Sequence, residues 1–286
     1  MSGLTYIGPL GNLMEVKCPA PGIPTGRPRS SSVRSTLGGK AKVQQGALQH
    51  RPMAWAIPHA QPSDVDNLNG LWHGTFGPPP FYWYEPAAAV VNMLPPESAS
   101  PYAVDGLAGW ELFSGAGPLA DGGSLTLPDG SVHAHSLSVP TVATFAIGPI
   151  MPFLPGRTYG AWGVASTSAS RAVTIFLAYC DASGAPLLSG GYGTVVSTAS
   201  GVRSWATTLT GTPPATSAGL RLLVNTPADS LVTTLAALRV AETDSALTEW
   251  HPGRGLPRVA ILDVPETLQQ AYGETRSDYT VALQEV

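Results

Sequence analysis

Residues 172–180 read AVTIFLAYC. No charge interrupts the run, β-branched and aromatic residues are prominent, and both alternating faces are apolar. Such a segment fits a central β-strand with one face on a core and the other in a sheltered concavity. The surrounding sequence repeats the texture in SLTLP (124–128), HAHSLSV (133–139), TFAIGPI (144–150) and RTYGAWGVAS (157–166). GTVVST (193–198), SWATTLTG (204–211), GLRLLVN (219–225) and SLVTTLAALRV (230–240) continue it. Nine short runs rich in Thr, Val, Leu and Ser, most separated by turn residues, describe a β-sandwich or jelly roll across residues 110–243.

Outside that span the texture changes. Residues 1–60 read as short strands divided by Gly and Pro, with STLGGKAKVQQ (35–45) forming a hairpin about Gly38-Gly39 and residues 53–57 a strand closed by Pro58. SDVDNLNGLWHG (63–74) reads as a helix: Ser63 and Asp66 have capping-box spacing, Val65, Leu68 and Trp72 share a face, and Gly74 supplies the stop. GPPPFYWYEPAAAVVNMLPPE follows at 77–97. Pro78, Pro79 and Pro80 fix φ and withhold backbone donors, so they fit neither a helix interior nor a central strand. Phe81, Tyr82, Trp83 and Tyr84 can bury a large area while their polar tips sit at an interface. The stretch therefore reads as a rigid aromatic connector packed against something large.

Towards the C-terminus, RVAIL (258–262) and the alternating DYTVALQEV (278–286) read as strands. The economical organisation is an insertion: residues 1–98 and 246–286 form one discontinuous domain, and residues 99–245 form a β-sandwich jelly roll within it. The expected class is all-β with one short helix. The two terminal segments are expected to share a sheet, because DYTVALQEV has little besides RVAIL to pair with in its own segment.

The 286 residues carry a formal charge of −4, which gives no general attraction for nucleic acid, and charged residues are only 12% of the chain. Between Glu15 and Asp64 no acid occurs, yet Arg27, Arg29, Arg34, Lys40 and Lys42 do. The segment after Ala246 carries six acids against Arg254, Arg258 and Arg276. A solvated basic loop explains this asymmetry; so does a basic arm laid on an acidic surface of the same or a neighbouring subunit. Cys18 and Cys180 do not form a disulfide framework or a zinc pattern. The N-terminus reads as lacking a secretion signal, and no run is long enough for a membrane span.

No catalytic constellation is evident: there is no GxSxG elbow, no HExxH, no CxxC and no phosphate-binding Gly motif. His133 and His135 would share one face of a strand without a third metal ligand in sequence, so neither metal nor cofactor is expected. The acids of the insert sit mostly in turn contexts, which explain them without catalysis. Trp162, Tyr179, Tyr192 and Trp205 lie on or beside expected strands and could serve as sugar-stacking platforms. A sandwich core needs large residues too, and each of the four could equally be one of those.

The order of parts in GWELFSGAGPLADGGSLTL, FLPGRTYGAWGVAS, VTIFLAYCDASGAPLLS and RSWATTLTGTPPATSAGLRLLVN resembles carbohydrate-binding-module-like jelly rolls of the galactose-binding-like type. The flanks FGPPPFYWYEPAAAVVNMLPPESASP and EWHPGRGLPRVAILD resemble those of minor tail proteins of long-tailed actinobacteriophages. The resemblance implies a distal-tail-like structural subunit of the virion, synthesised in the host cytoplasm and forming a trimeric or hexameric ring at the tail tip. It implies contacts with tail-tube, tape-measure and baseplate or hub proteins, and a jelly roll displayed toward host cell-wall polysaccharide. On this reading Phe81 to Tyr84 and the arginines 27, 29 and 34 are assembly surface, and residues 92–101 are a linker. A free-standing, non-catalytic carbohydrate-binding protein is the second reading.

Overall fold

The computed structural model describes residues 5–16, 31–35, 41–45, 52–58, 60–101, 107, 109–114, 118–139, 144–170, 173–187, 193–197, 200–209, 212–227, 231–271 and 274–286. The chain is all-β, with short helices at Pro62–Trp72, Pro86–Ala89 and Pro96–Ala99 among the described residues. It divides into two units. One comprises residues 1–9, 14–83 and 257–286; the other comprises residues 10–13 and 84–256. The boundaries thus fall at 83/84 and 256/257, where the sequence reading put them at 98/99 and 245/246.

The first unit is built on a seven-stranded sheet that joins both ends of the chain. Met14–Val16, Thr5–Gly8, Phe81–Tyr84, Arg258–Asp263, Glu274–Glu285 and Glu266–Ala271 follow one another across it, and Pro52–Ile57 pairs with Glu274–Glu285 as well. The last strand is long enough to serve three partners, pairing Val259 to Asp263 with Glu285 to Ala282 besides the other two. Tyr279 to Gln284 face Ile57 to Pro52, while Glu274 to Tyr279 face Ala271 to Glu266. Alternation in Pro52–Ile57 buries Met53, Trp55 and Ile57, and these meet Val281 and Leu283 in one core. The helix Pro62–Trp72 adds Leu68 and Leu71 to it. Its start lies two residues earlier than the Ser63 cap expected from sequence. Gln61 is the N-cap, its backbone N–H donates to Asp64 Oδ2 at 3.1 Å, and Pro62 occupies the first helical position, where no donor is needed. That shift buries Leu71 and leaves Trp72 46% exposed.

Ser31–Ser35 and Ala41–Gln45 form an antiparallel pair with Val33 opposite Val43. Arg34 lies on this pair opposite Lys42. Arg27 and Arg29 lie outside the described residues.

The second unit is a sandwich of two antiparallel sheets. One runs Gly201–Leu209, Tyr159–Thr167, Thr233–Glu242, Leu137–Val139, Ala120–Asp121. The other runs Gly193–Ser197, Val173–Cys180, Gly219–Thr226, Thr144–Ile147, Glu111–Ser114, with Met151–Pro152 also on Gly219–Thr226. Val173–Cys180 is central and buried at all but one position, as its sequence predicts. Cys180 is a buried free thiol, pushed up to about 12 chiefly by burial.

Two segments that carry no strand pattern belong to this unit. Asn92, fully buried, uses its whole amide: Nδ2 donates to Leu238 O and His251 O at 3.0 and 2.8 Å, and Oδ1 accepts from Leu94 N and Val240 N, both at 3.1 Å. Arg239 donates to the carbonyls of Val91, Glu249 and Val90 at 2.7, 3.0 and 3.2 Å. Residues 92–101 are therefore not a free linker. They and residues 246–256 are tied to the edge of the strand Thr233–Glu242, which is why the unit begins at Tyr84 and ends at Leu256. Among the described residues, no helix is long and apolar enough to cross a membrane.

Candidate functional site

Alternation along Tyr159–Thr167 sends Trp162 and Gly163 to opposite faces of the five-stranded sheet. Gly163 stands opposite Trp205, and a Cβ there would come within 2.6 Å of the Trp205 ring and 2.8 Å of Leu238. The missing side chain makes room for Trp205, which is buried. Trp162 takes the other face, paired between Ala206 and Arg239. Beside it the register against Thr233–Glu242 slips between Trp162 and Val164, and Ala237 adopts φ 53°, a left-handed conformation uncommon for a residue with a Cβ. Bulges of this kind re-aim side chains and recur next to functional sites.

Two segments rise beside Trp162. Leu125–Thr126 pairs with Val132–His133 about a tight turn in which Asp129 Oδ1 accepts from the Ser131 amide at 2.9 Å and from its hydroxyl at 2.7 Å. These bonds hold the Asp129 carboxyl below the usual carboxylate range. The second segment, residues 248–250, is fixed by the Arg239 bond to Glu249 O and, one residue on, by the Asn92 bond to His251 O. It sets the Trp250 ring against His133, centroids 4.9 Å apart and planes at 84°. Burial lowers the His133 pKa, which favours its neutral form.

These parts enclose a cleft of about 610 Å3, lined by Trp162, Ser204, residues 127–129 and 131–133, and Thr248, Glu249 and Trp250. Its volume lies within the range of small-molecule sites. The lining combines two indoles, the hydroxyls of Ser131, Ser204 and Thr248, one imidazole and two carboxylates, with no lysine or arginine. Such a surface can stack a flat apolar face and exchange hydrogen bonds around its rim.

Of the four aromatics singled out from sequence, Trp162 lines the cleft, although it is only 9% exposed and also packs in a core cluster with Leu125, Leu127 and Val164. Tyr179 does not: it is 3% exposed and packs edge-on against Phe153 at 5.2 Å, a core contact. Trp205 is likewise a core residue, for the reason Gly163 supplies. Tyr192 lies outside the described residues.

The aromatic connector is also corrected. Phe81 and Trp83, each 2% exposed, are core of the first unit, where Trp83 meets Trp55 edge-on at 4.8 Å. Tyr84 is wholly buried in the second unit, donating to Glu242 and lying 3.3 Å from the Tyr159 hydroxyl. Side chains buried within their own chain offer no assembly surface; of the four, only Tyr82 is partly exposed.

His133 and His135 do not converge. His135 bonds Asp121 at 2.8 Å while His133 meets Trp250. No group of three or more His, Cys, Asp or Glu side chains able to hold a metal occurs among the described residues. Sequence reasoning missed Trp250, Asp129, Glu249 and Ser204. The available signal was a tryptophan in TEWHPG (248–253), outside any strand pattern and beside an acid.

No family model matches the chain, and no curated protein does. Among solved structures it is similar to an arabinose-bound α-L-arabinofuranosidase, MgGH51, at 15% identity and TM-score 0.41, over 54% of this chain and 26% of that one. The chain thus spans about a quarter of that enzyme's length. It is similar to the enzymatically active domain of tailspike protein 4 of bacteriophage CBA120 at 13% identity and TM-score 0.39, over 56% and 22% of the two chains. Against the N-terminal cellulose-binding domain of Cellulomonas fimi β-1,4-glucanase C the values are 20% and 0.32, over 49% and 93%. Overlaps this partial decide nothing about what this chain binds.

Proposed function

We propose that the sandwich unit binds a carbohydrate chain, without cleaving it, in the cleft between Trp162 and Trp250. The observation that carries this reading is the lining itself: indole rings suited to the apolar face of a sugar, ringed by hydroxyl, imidazole and carboxylate groups suited to its hydroxyls. The protein bearing this module is a structural subunit of a phage tail tip, assembled as a ring of copies beneath the tail tube. Support for that part is the resemblance of the flanks, together with a first unit whose sheet joins both ends of the chain. Host cell-wall polysaccharide is then the ligand, and weak single sites gain hold through the repeated copies of a ring.

The test is a calorimetric titration of the full chain with a panel of cell-wall polysaccharides, alongside Trp250→Ala. Binding to at least one polysaccharide is expected, with affinity reduced about tenfold in the variant, corresponding to the loss of one stacking contact. Binding to no polysaccharide, or binding indifferent to Trp250, would contradict the assignment of the cleft. Sedimentation of the same sample reports on the ring: a trimer or hexamer fits a tail subunit, whereas a monomer that binds glycan fits a free-standing carbohydrate-binding protein.

A further inference from the structure

We propose that the cleft selects a glycan bearing amino groups, so that its preferred sugar carries an ammonium in place of a neutral or anionic substituent. This inference rests on the reading of the cleft as a sugar site and concerns which sugar chemistry it prefers. The two carboxylates in the lining come from different segments, Asp129 from the turn before His133 and Glu249 from the segment that places Trp250. Neither is consumed by a cation of the lining. Both Ser131 bonds go to Asp129 Oδ1, which leaves Oδ2 outside them. Glu249 pairs with His251, Nε2 to Oε1 at 3.2 Å, and its side chain is 71% exposed.

Arg239 attracts Glu249 electrostatically and so offsets part of its charge. Its guanidinium is directed into the carbonyls of Val90, Val91 and Glu249. His133, the remaining basic group of the lining, is biased to its neutral form by burial. The sheet wall contributes only Trp162 and Ser204, both without charge. A ligand in the cleft therefore meets two carboxylates and two indoles, and an ammonium is attracted by both. A uronate, phosphate or sulfate group meets the same anions as repulsion.

The expected selectivity is modest because the carboxylates are exposed. A unit charge about 6 Å from each of two carboxylates in a watery environment changes affinity about threefold per carboxylate, or about tenfold for the pair. It should fade with salt, since exposed charges are screened over about 10 Å at 0.1 M ionic strength.

The discriminating probes are β-1,4-linked tetramers of glucosamine and of N-acetylglucosamine, which share a backbone and differ in the free amine. Titrated into the full chain at pH 6 and low salt, the glucosamine tetramer should bind about tenfold more tightly. The preference should shrink to about twofold or less at 0.5 M salt, and should disappear in the double variant Asp129→Asn, Glu249→Gln. The asparagine keeps the acceptor that the Ser131 turn requires, and an unchanged thermal melt checks that the fold is kept. Equal affinity of the two tetramers, or tighter binding of the acetylated one, overturns the proposal. Failure of both tetramers, while Trp250-dependent binding to another polysaccharide persists, overturns it and leaves the sugar site standing. Failure of every polysaccharide overturns both.

Discussion

Replacing Asn92 with leucine should lower the stability of the sandwich unit by about 3–5 kcal/mol, although the two side chains are close in shape. The asparagine amide meets four backbone groups, and leucine would leave the Leu238 carbonyl and the Leu94 and Val240 amides buried without partners. The fourth, His251 O, is only part-buried and can turn to water. Each orphaned buried group costs about 1–3 kcal/mol, and neighbouring losses add incompletely. At about 2–4 °C per kcal/mol for a unit of this size, the thermal midpoint should fall by roughly 10 °C. A melt of the sandwich unit followed by near-ultraviolet circular dichroism reads this directly. A shift within experimental error would mean that the segment after Tyr84 is not held as described.

A larger effect is expected from cutting the chain where its sequence suggests. A fragment of residues 99–245 should fail to give a cooperative melt, whereas residues 84–256 should fold. The shorter fragment loses every acceptor of Arg239, since Val90, Val91 and Glu249 all lie beyond its ends. The guanidinium gives these three bonds up to water, and a hydrogen bond to a charged group contributes about 1.5–3 kcal/mol. The fragment also loses the Met93 amide bond to Val240 O at 2.6 Å and the buried side chains of Met93, Leu94 and Leu247. Fully buried aliphatic side chains contribute about 1.5–3 kcal/mol each. Together these approach the whole stability of an ordinary domain, about 5–15 kcal/mol. A sharp, two-state melt of the 99–245 fragment would show that the added segments are dispensable.

The contrast shows which kinds of information a sequence displays. Val173–Cys180 announces itself because a strand buried on both faces must be apolar at nearly every position, and side-chain chemistry alone carries that signal. The part of the strand Glu274–Glu285 from Asp278 onward was legible through alternation, since one face of Pro52–Ile57 and its own Val281 and Leu283 meet in one core. Residues 84–98 and 246–256 have no period to read. They are held by side chains of Asn92 and Arg239 that bond backbone carbonyls and amides, groups every residue possesses, so nothing local distinguishes these segments from linkers. The helix cap was misread for a related reason: Ser63 and Asp66 had the right spacing, but Pro62 set the first turn two residues earlier.

The site was half visible. Trp162 was legible as an aromatic on a strand, but the same criterion also selected Tyr179 and Trp205, and residue type does not say which face a strand turns inward. The deciding clue for Trp205 is Gly163 across the ladder, which becomes informative once the pairing register is known. Trp250 and Glu249 reach the cleft from a segment far away in sequence, and Asp129 is disguised as a turn residue because it also serves one. Their convergence is a property of topology.

The central claim is that sugar docks on Trp162 and Trp250 and not on the protein's other tryptophans. Nuclear magnetic resonance of the indole N–H groups, assigned by single Trp→Phe variants, tests it most directly. Titration of the full chain with the best-binding polysaccharide should shift or broaden the Trp162 and Trp250 signals and leave those of Trp55, Trp83, Trp110 and Trp205, which do not line the cleft, in place. Shifts confined to Trp72 or to the buried set, with Trp162 and Trp250 unmoved at saturation, would contradict it.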